Sequence, residues 1–462
     1  MALTGTAKNV AIAVQNWIDQ TNAGVQGAST QWLSTLPLEN LQNNKLSKVA
    51  RSTGGSALAP SLVVDIDKVF PVTLLCVPKH NLTDTAKWRI RGANATASTS
   101  STSSNAVGTG SKTFTVGTGL SINSGDSVSI RRTSDRSKLM MGTVSSYSGS
   151  TLIVTVDNYK GSGTFTDWSI STVNWGDPAS IAYDNRPVLA STTSTTSVAI
   201  AYGSLTLTLA SNVYLFNGVR VRATKTGDTG TFMEGLVVSY DDQSKTLVLN
   251  IDLKGGSGTY ATWTVDRLAN DPNVWPTVLP WGTGVWGAFP WGGQLLLGTN
   301  YNPPAVHLIT LARNDPTPIY AQFWRIDFTD SSNTAGYIDL GRLVLAYAYQ
   351  PTINLQLGWS IKFVDPSRRD RSRGGQPYVD ARESYRVLSI GLAGIPRDEM
   401  MANLYELDRT QGVKKPILII VDPTDQTNLH RLTVYGSQPA PGDISNRELA
   451  RFERTITIEE WL

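Results

Sequence analysis

A single cysteine, Cys76, stands in 462 residues. One thiol excludes an intramolecular disulfide and any CxxC zinc site. A chain of this size without disulfides is expected to fold in a reducing cytoplasm. Charge is scarce as well: Asp, Glu, Lys and Arg make up 17%, below the roughly 25% of an ordinary soluble domain. The 40 basic residues nearly cancel the 37 acidic ones and leave +3. That balance excludes a protein whose main work is coating duplex DNA or an anionic membrane, so neither specific nucleic acid nor membrane insertion is expected. No run approaches the ~18–20 apolar residues of a membrane span. Near the start, Lys8 and the run Val10 to Val14 give way to Gln15 and Asn16, too short for a secretory signal core. A product found outside the cell is expected to leave by lysis.

Histidine is nearly missing. His80, His307 and His430 lie in unrelated contexts with no carboxylate at ligand-like spacing. No GxSxG elbow, P-loop or HExxH occurs. No catalytic, cofactor-binding or metal-ligating residue is therefore named, no cofactor is expected, and the chain is not read as an enzyme. Asp327, Asp330 and Asp339 come nearest to paired carboxylates, but sequence spacing does not set their separation in space. Asp330 to Asn333 reads as a turn, with a structural calcium beside Asp330 as an open alternative.

What the chain has is Gly (40), Pro (22), Trp (13) and many Ser, Thr and Asn, the composition of a β-rich protein of about three domains at roughly 150 residues each. Val10, Val14, Trp17 and Ile18 fall on one face of a helix, which makes residues 1–37 a helical or extended arm. From residue 62 the texture is that of strands: Leu62 to Ile66, Val72 to Val77, and the alternating Lys87-Trp88-Arg89-Ile90-Arg91. Two hydroxyl-rich tracts, 95–105 and 191–197, read as flexible linkers.

Each tract leads into a copy of the same module. Thr151 to Asp157 followed by Gly161-Ser162-Gly163-Thr164-Phe165…Trp168 matches Thr246 to Asp252 followed by Gly256-Ser257-Gly258-Thr259-Tyr260…Trp263, at an offset of 95. Upstream, Gly142 and Tyr147 match Gly235 and Tyr240 at an offset of 93, and the two extra residues fall in a hairpin turn. This internal repeat predicts two small antiparallel β modules, 106–172 and 198–266. Trp168 and Trp263 are expected to fill their cores rather than offer a platform to a sugar.

The sequence around the modules reads as one interrupted β domain in three parts, 38–95, 173–190 and 267–383. Its last part holds Trp275, Trp281, Trp286 and Trp291, spaced five or six apart. Residues 384–462 are expected to form a small α+β domain. There Pro396-Arg397-Asp398-Glu399 opens a helix with Met400, Leu404 and Leu407 along one face, and Gly412 closes it. The only dense basic run, Arg368, Arg369, Asp370, Arg371, Ser372 and Arg373, lacks interleaved aromatics and reads as a salt-bridged subunit contact or a plain solvated loop rather than a phosphate site.

Two stretches carry a family resemblance. Asp65-Ile66 through Val72 to Leu82, and Ala321 to Ile326 with Gly336 to Leu343, are similar to the early and closing strands of galactose-binding-like (discoidin-type) jelly rolls. With the Gly-Ser-Gly-Thr-aromatic…Trp modules, the whole resembles virion proteins of tailed bacteriophages at the distal tail or baseplate. The resemblance implies a mainly β fold: a jelly-roll β-sandwich interrupted by two repeated β modules and followed by the α+β domain. It implies a structural protein, assembled in the host cytoplasm and carried on the phage tail tip. There it forms a sixfold ring that joins the tail tube protein to baseplate hub and tail fibre proteins. Arg368, Arg369, Arg371, Arg373, Trp281, Trp286 and Trp291 are the expected subunit-interface residues. The alternatives are a receptor-binding tail protein whose modules recognise host surface polysaccharide, acting as carbohydrate-binding modules in host attachment, and a depolymerase.

Overall fold

The computed structural model describes residues 10–462 apart from 29, 55–58, 84–85, 176–179, 185–187, 212–214, 216–219, 229, 242–243, 269–303, 312–317, 331–332, 424, 426–427 and 449. It is mainly β, built of antiparallel sheets of which three curl into half-barrels, with one short helix near the C-terminus.

The largest sheet is ten-stranded. Its order is Ala305–Leu308, Leu74–Val77, Val344–Tyr349, Ala11–Asn16, Ile417–Ile420, Thr433–Ser437, Arg451–Glu460, Tyr385–Pro396 and Ser360–Val364, with Ser445–Glu448 also paired to Arg451–Glu460. The residues expected as a helix thus form a central strand. Ile12 pairs with Tyr349 on one side and Ile419 on the other. The physical reason lies in the small residues between the large ones. Val10 and Ile12 enter one core with Leu388, Ile390, Ile456 and Ile458. Ala11 and Ala13 enter a second core with Leu74, Cys76, Leu418 and Ile420 on the opposite face. A strand buried on both faces loses the apolar–polar alternation that would distinguish it from a helix. A 3-10 turn, Trp17–Asp19, follows it.

Residues 384–462 do not form a sheet of their own; their strands continue this one through Ala11–Asn16. The helical segment opens with Arg397–Glu399, winds as a π-helix over Met400–Tyr405 and closes with Glu406–Thr410. Met400, Leu404 and Leu407 are buried on the first core. Gly412, at φ 48°, ends it by turning its N–H back to the Leu407 carbonyl. Arg454, fully buried, ties helix to sheet by donating to Asp408, Gln438 and the Leu404 carbonyl.

A second sheet is built on the long strand Ser61–Val72, flanked by Gly24–Gln26 and Ile319–Thr329. Phe323, Trp324, Ile326 and Phe328 of the last strand are buried.

The two repeats share one topology. The first has six strands in the order Ala97–Ser101, Trp168–Val173, Ser127–Arg132, Leu139–Ser148, Thr151–Lys160, Gly110–Thr115. The second runs Val188–Ser194, Trp263–Leu268, Arg220–Lys225, Phe232–Asp241, Thr246–Gly255, Gly203–Thr208. Both carry two register shifts at matching places, at Met141/Gly142 and Val144/Ser146 in one and at Glu234/Gly235 and Val237/Ser239 in the other. The shifts draw the neighbouring strand close: a Cβ on Gly142 would lie 1.9 Å from the Thr155 carbonyl oxygen, and one on Gly235 2.0 Å from that of Asn250. The expected linkers are edge strands instead. Ala97–Ser101 pairs with Trp168–Val173, and Val188–Ser194 with Trp263–Leu268. Their hydroxyls have work in the fold: Ser101 accepts from the N–H of Ser103, and Ser103 from that of Thr115. Ser194 and Thr196 repeat this with the N–H groups of Thr196 and Thr208.

By contact density the chain divides into two units. One comprises 1–86, 91–183 and 273–462 and holds the first module; the other comprises 87–90 and 184–272 and is chiefly the second module.

Candidate assembly surface

Trp168 and Trp263 sit at equivalent points of the module cores, both buried. Each indole N–H is shared between two carbonyls, those of Ser103 and Phe165 at 3.0 Å in one module and those of Thr196 and Tyr260 at 3.1 Å in the other. Neither ring faces solvent, so neither can stack on a sugar.

The first module does not hang from a tether. It is seated on the strands Gly24–Gln26 and Ser61–Val72 through a buried polar joint ringed by apolar residues. Asp65 is fully buried. Its carboxylate accepts from Ser129 Oγ at 2.5 Å, from Arg131 Nη2 at 2.7 Å and Nε at 3.1 Å, and from Gln322 Nε2 at 3.1 Å. It also caps the N–H of Asp67 at 2.8 Å. Asp67, a non-glycine at φ 73°, is held in that left-handed conformation by Arg136 Nε at 2.7 Å and Asn22 Nδ2 at 3.1 Å. Burial alone would raise its pKa, but Arg136, Arg131 and Asn22 outweigh burial and hold it below the ordinary value. Lys160 donates to the Ala23 carbonyl and Asn158 to that of Val25. Burial and the nearby Arg131 push the Lys160 pKa down. Leu139, Met141, Val173 and Trp175 close over Val63 and Phe323 around these polar groups. Sequence reasoning missed this joint; Arg131 and Asp65 lie 66 positions apart with no motif linking them.

The basic run forms the protruding end of a hairpin. Ser360–Val364, the edge strand of the ten-stranded sheet, pairs with Tyr385–Pro396 from Ser360↔Ser389 to Val364↔Tyr385. Beyond it, Arg368–Arg371 pairs with Pro377–Asp380, from Arg368↔Asp380 to Arg371↔Pro377. Every residue of these two short strands is exposed, and so is Arg373 in the turn. Trp281, Trp286 and Trp291 lie outside the described residues, so only the arginines of the expected interface can be placed.

The remaining candidates do not converge. Asp330 is buried and accepts from Thr83 Oγ at 2.5 Å, Thr83 N–H at 3.0 Å and Asn333 Nδ2 at 3.1 Å. Its oxygens are filled by protein donors, as a turn-capping aspartate requires. Asp339 chelates Arg51 at 2.7 and 2.8 Å, and Asp327 pairs with Arg91 at 2.6 Å and Arg325 at 2.8 Å. His80 Nδ1 accepts from the Leu82 N–H, and His307 Nε2 meets the Tyr183 hydroxyl at 2.6 Å. His430 is pushed down to about 4 by burial and by Arg431 and Arg386. Among the described residues no group of three or more His, Cys, Asp or Glu could hold a metal ion, and no helix is long and apolar enough to cross a membrane.

No protein-family model matches the chain, and no curated protein matches it.

Proposed function

We propose that this chain is a structural virion protein of a tailed bacteriophage. In this reading it forms a ring at the distal tail or baseplate that joins the tail tube to hub or fibre proteins. The observation that carries the reading is the exposed, arginine-rich hairpin: among the described residues no ion pair within the chain engages Arg368, Arg369, Arg371 or Arg373, which suits a subunit contact. A rigidly seated β module supports it, since the Asp65–Asp67–Arg131–Arg136 joint can pass a mechanical load from module to sheet without a hinge. Within the reading, the sheets around Ser61–Val72, Leu74–Val77, Ile319–Thr329 and Val344–Tyr349 are a galactose-binding-like jelly roll. Residues 384–462 are then its ring-forming extension rather than a detached domain. The partners are further copies of the chain, the tail tube protein, and the baseplate hub and fibre proteins.

Imaging of the purified full chain, together with sedimentation, tests this. Closed rings are expected, and replacing Arg368, Arg369, Arg371 and Arg373 with Ser should shift the population toward single chains that keep the wild-type melting transition. A wild type that sediments as one chain and shows no rings would overturn the reading.

A further inference from the structure

Residues 352–384 contain no buried side chain. Within them Leu357 is 93% exposed, Phe363 70%, Tyr378 62% and Val379 55%. Trp359 is 41% exposed as well, so this segment leaves several large apolar and aromatic groups open to solvent. The end of the hairpin is closed by the Ser372 N–H on the Gln376 carbonyl and the Gly375 N–H on that of Ser372, both 2.9 Å. A two-stranded ribbon with neither a third strand nor a core is marginal in water.

Its register decides what can cover it. Residues directly opposite in an antiparallel pair share a face. Arg368 opposes Asp380 and Asp370 opposes Tyr378, so Arg368, Asp370, Tyr378 and Asp380 form one face, with Arg382 beside Asp380 at 3.3 Å. That face carries two cations and two anions around one aromatic ring. Among the described residues no ion pair engages Arg368 or Asp370 within the chain. A face with balanced, alternating charge and a central tyrosine is complementary to a copy of itself turned through a two-fold axis. The opposite face, Arg369, Arg371, Pro377 and Val379, has only positive charge and would repel its own copy.

We infer that the hairpins of two copies of this chain pack face to face across a two-fold axis, through Arg368, Asp370, Tyr378 and Asp380. Arg368 of one copy meets Asp370 of the other, so the axis crosses the ribbon between these two positions and Tyr378 of one copy faces Asp380 of the other. A two-fold contact pairs copies without closing a ring, so this contact is additional to the ring contact, and the inference rests on the chain being self-assembling but not on where in a particle the assembly sits.

Cys76 is buried, so an introduced thiol reports on its own position. Oxidising an equal mixture of Tyr378→Cys and Asp380→Cys chains should give a covalent mixed dimer, because the axis brings position 378 of one copy against position 380 of the other. Asp370→Arg leaves the face with excess positive charge and should raise the dissociation constant at least about tenfold. The swap Arg368→Asp with Asp370→Arg restores complementarity and should return association to within about threefold of wild type. No buried group is touched, so an unchanged melting transition certifies each variant as folded. Association unaffected by Asp370→Arg, or not rescued by the swap, would overturn the two-fold contact, as would a mixture of Tyr378→Cys and Asp380→Cys chains that never crosslinks. Absence of rings with these outcomes intact would remove the tail-tip reading alone.

Discussion

Replacing Arg131 with Met should uncouple the first module from the sheet that carries it. The substitution keeps much of the side-chain volume and removes the cation. Asp65 then remains fully buried with only Ser129, Gln322 and the Asp67 N–H as donors. Breaking a buried ion pair from one side costs about 3–5 kcal/mol, because the surviving charge is left uncompensated. Three neutral donors stay in place, so the loss should fall near the lower end, about 3 kcal/mol. Against a typical total of roughly 5–15 kcal/mol, that is a large fraction. Asp65→Asn alone leaves Arg131 only its longer contact to Asp67 at 3.4 Å and should cost less than Arg131→Met, whereas the double variant removes both partners of the close pair and leaves Asp67 to Arg136. Urea unfolding of all four proteins, followed by tryptophan fluorescence, gives the coupling directly. The double variant should be more stable than the sum of the single losses predicts, by at least ~1 kcal/mol. Thr224, which occupies the place of Arg131 in the second module, supplies the control, and Thr224→Met should change stability by less than about 0.5 kcal/mol. Additive single effects would mean that the joint is held by its apolar rim and that the ion pair is incidental.

Trp168→Ala and Trp263→Ala should each cost about 3–5 kcal/mol in calorimetric or denaturant unfolding, since each empties a core and orphans two carbonyls. Gly142→Ala and Gly235→Ala should destabilise their modules to a similar degree as one another, by about 1–3 kcal/mol, and a tolerated alanine at either site would show that the strand shift there is relaxed. Stability should also decline below about pH 4 through Asp67. Its carboxyl takes a proton near 3.8 when unfolded and lower when folded, so its contribution is complete above the unfolded value and is lost as pH falls through the folded one. Asp67→Asn should flatten the pH profile of the unfolding midpoint in that range.

The repeat was legible because its signals are local. Glycines at forced positions and a closing Trp recur at fixed offsets, and the structure gives both copies the same strand order and the same register shifts. The C-terminal helix was legible for the same reason, from Pro396 to Gly412. Two readings failed where pattern and pairing part company. The Ser and Thr tracts have hydroxyls on both faces, so no alternation betrays a strand, yet edge pairing with the Trp strands and serine-to-backbone bonds order them. Val10 to Ile18 shows helical spacing because Ala11 and Ala13 count as neutral, although both are buried. The polar joint was invisible, since nothing local ties Asp65 to Arg131. The arginines were legible as a dense basic run, but not the face that Arg368 shares with Asp370 and Tyr378, which depends on register.

The placement of Ala11–Asn16 in the middle of the large sheet has a consequence for synthesis. Asn16 and Val14 meet Leu343 and Gln411 across 327 and 397 positions. This strand leaves the ribosome well before either of its neighbours and can be flanked on both sides only after residues 344–349 and 417–420 have followed. Each module, by contrast, closes among near neighbours and can fold while translation continues. The nascent protein therefore carries finished modules on an unfinished sheet, with an apolar strand awaiting partners translated hundreds of residues later. Slow, late closure of that sheet is the expected bottleneck, and truncated products should depend on chaperones in a way that the isolated repeats do not.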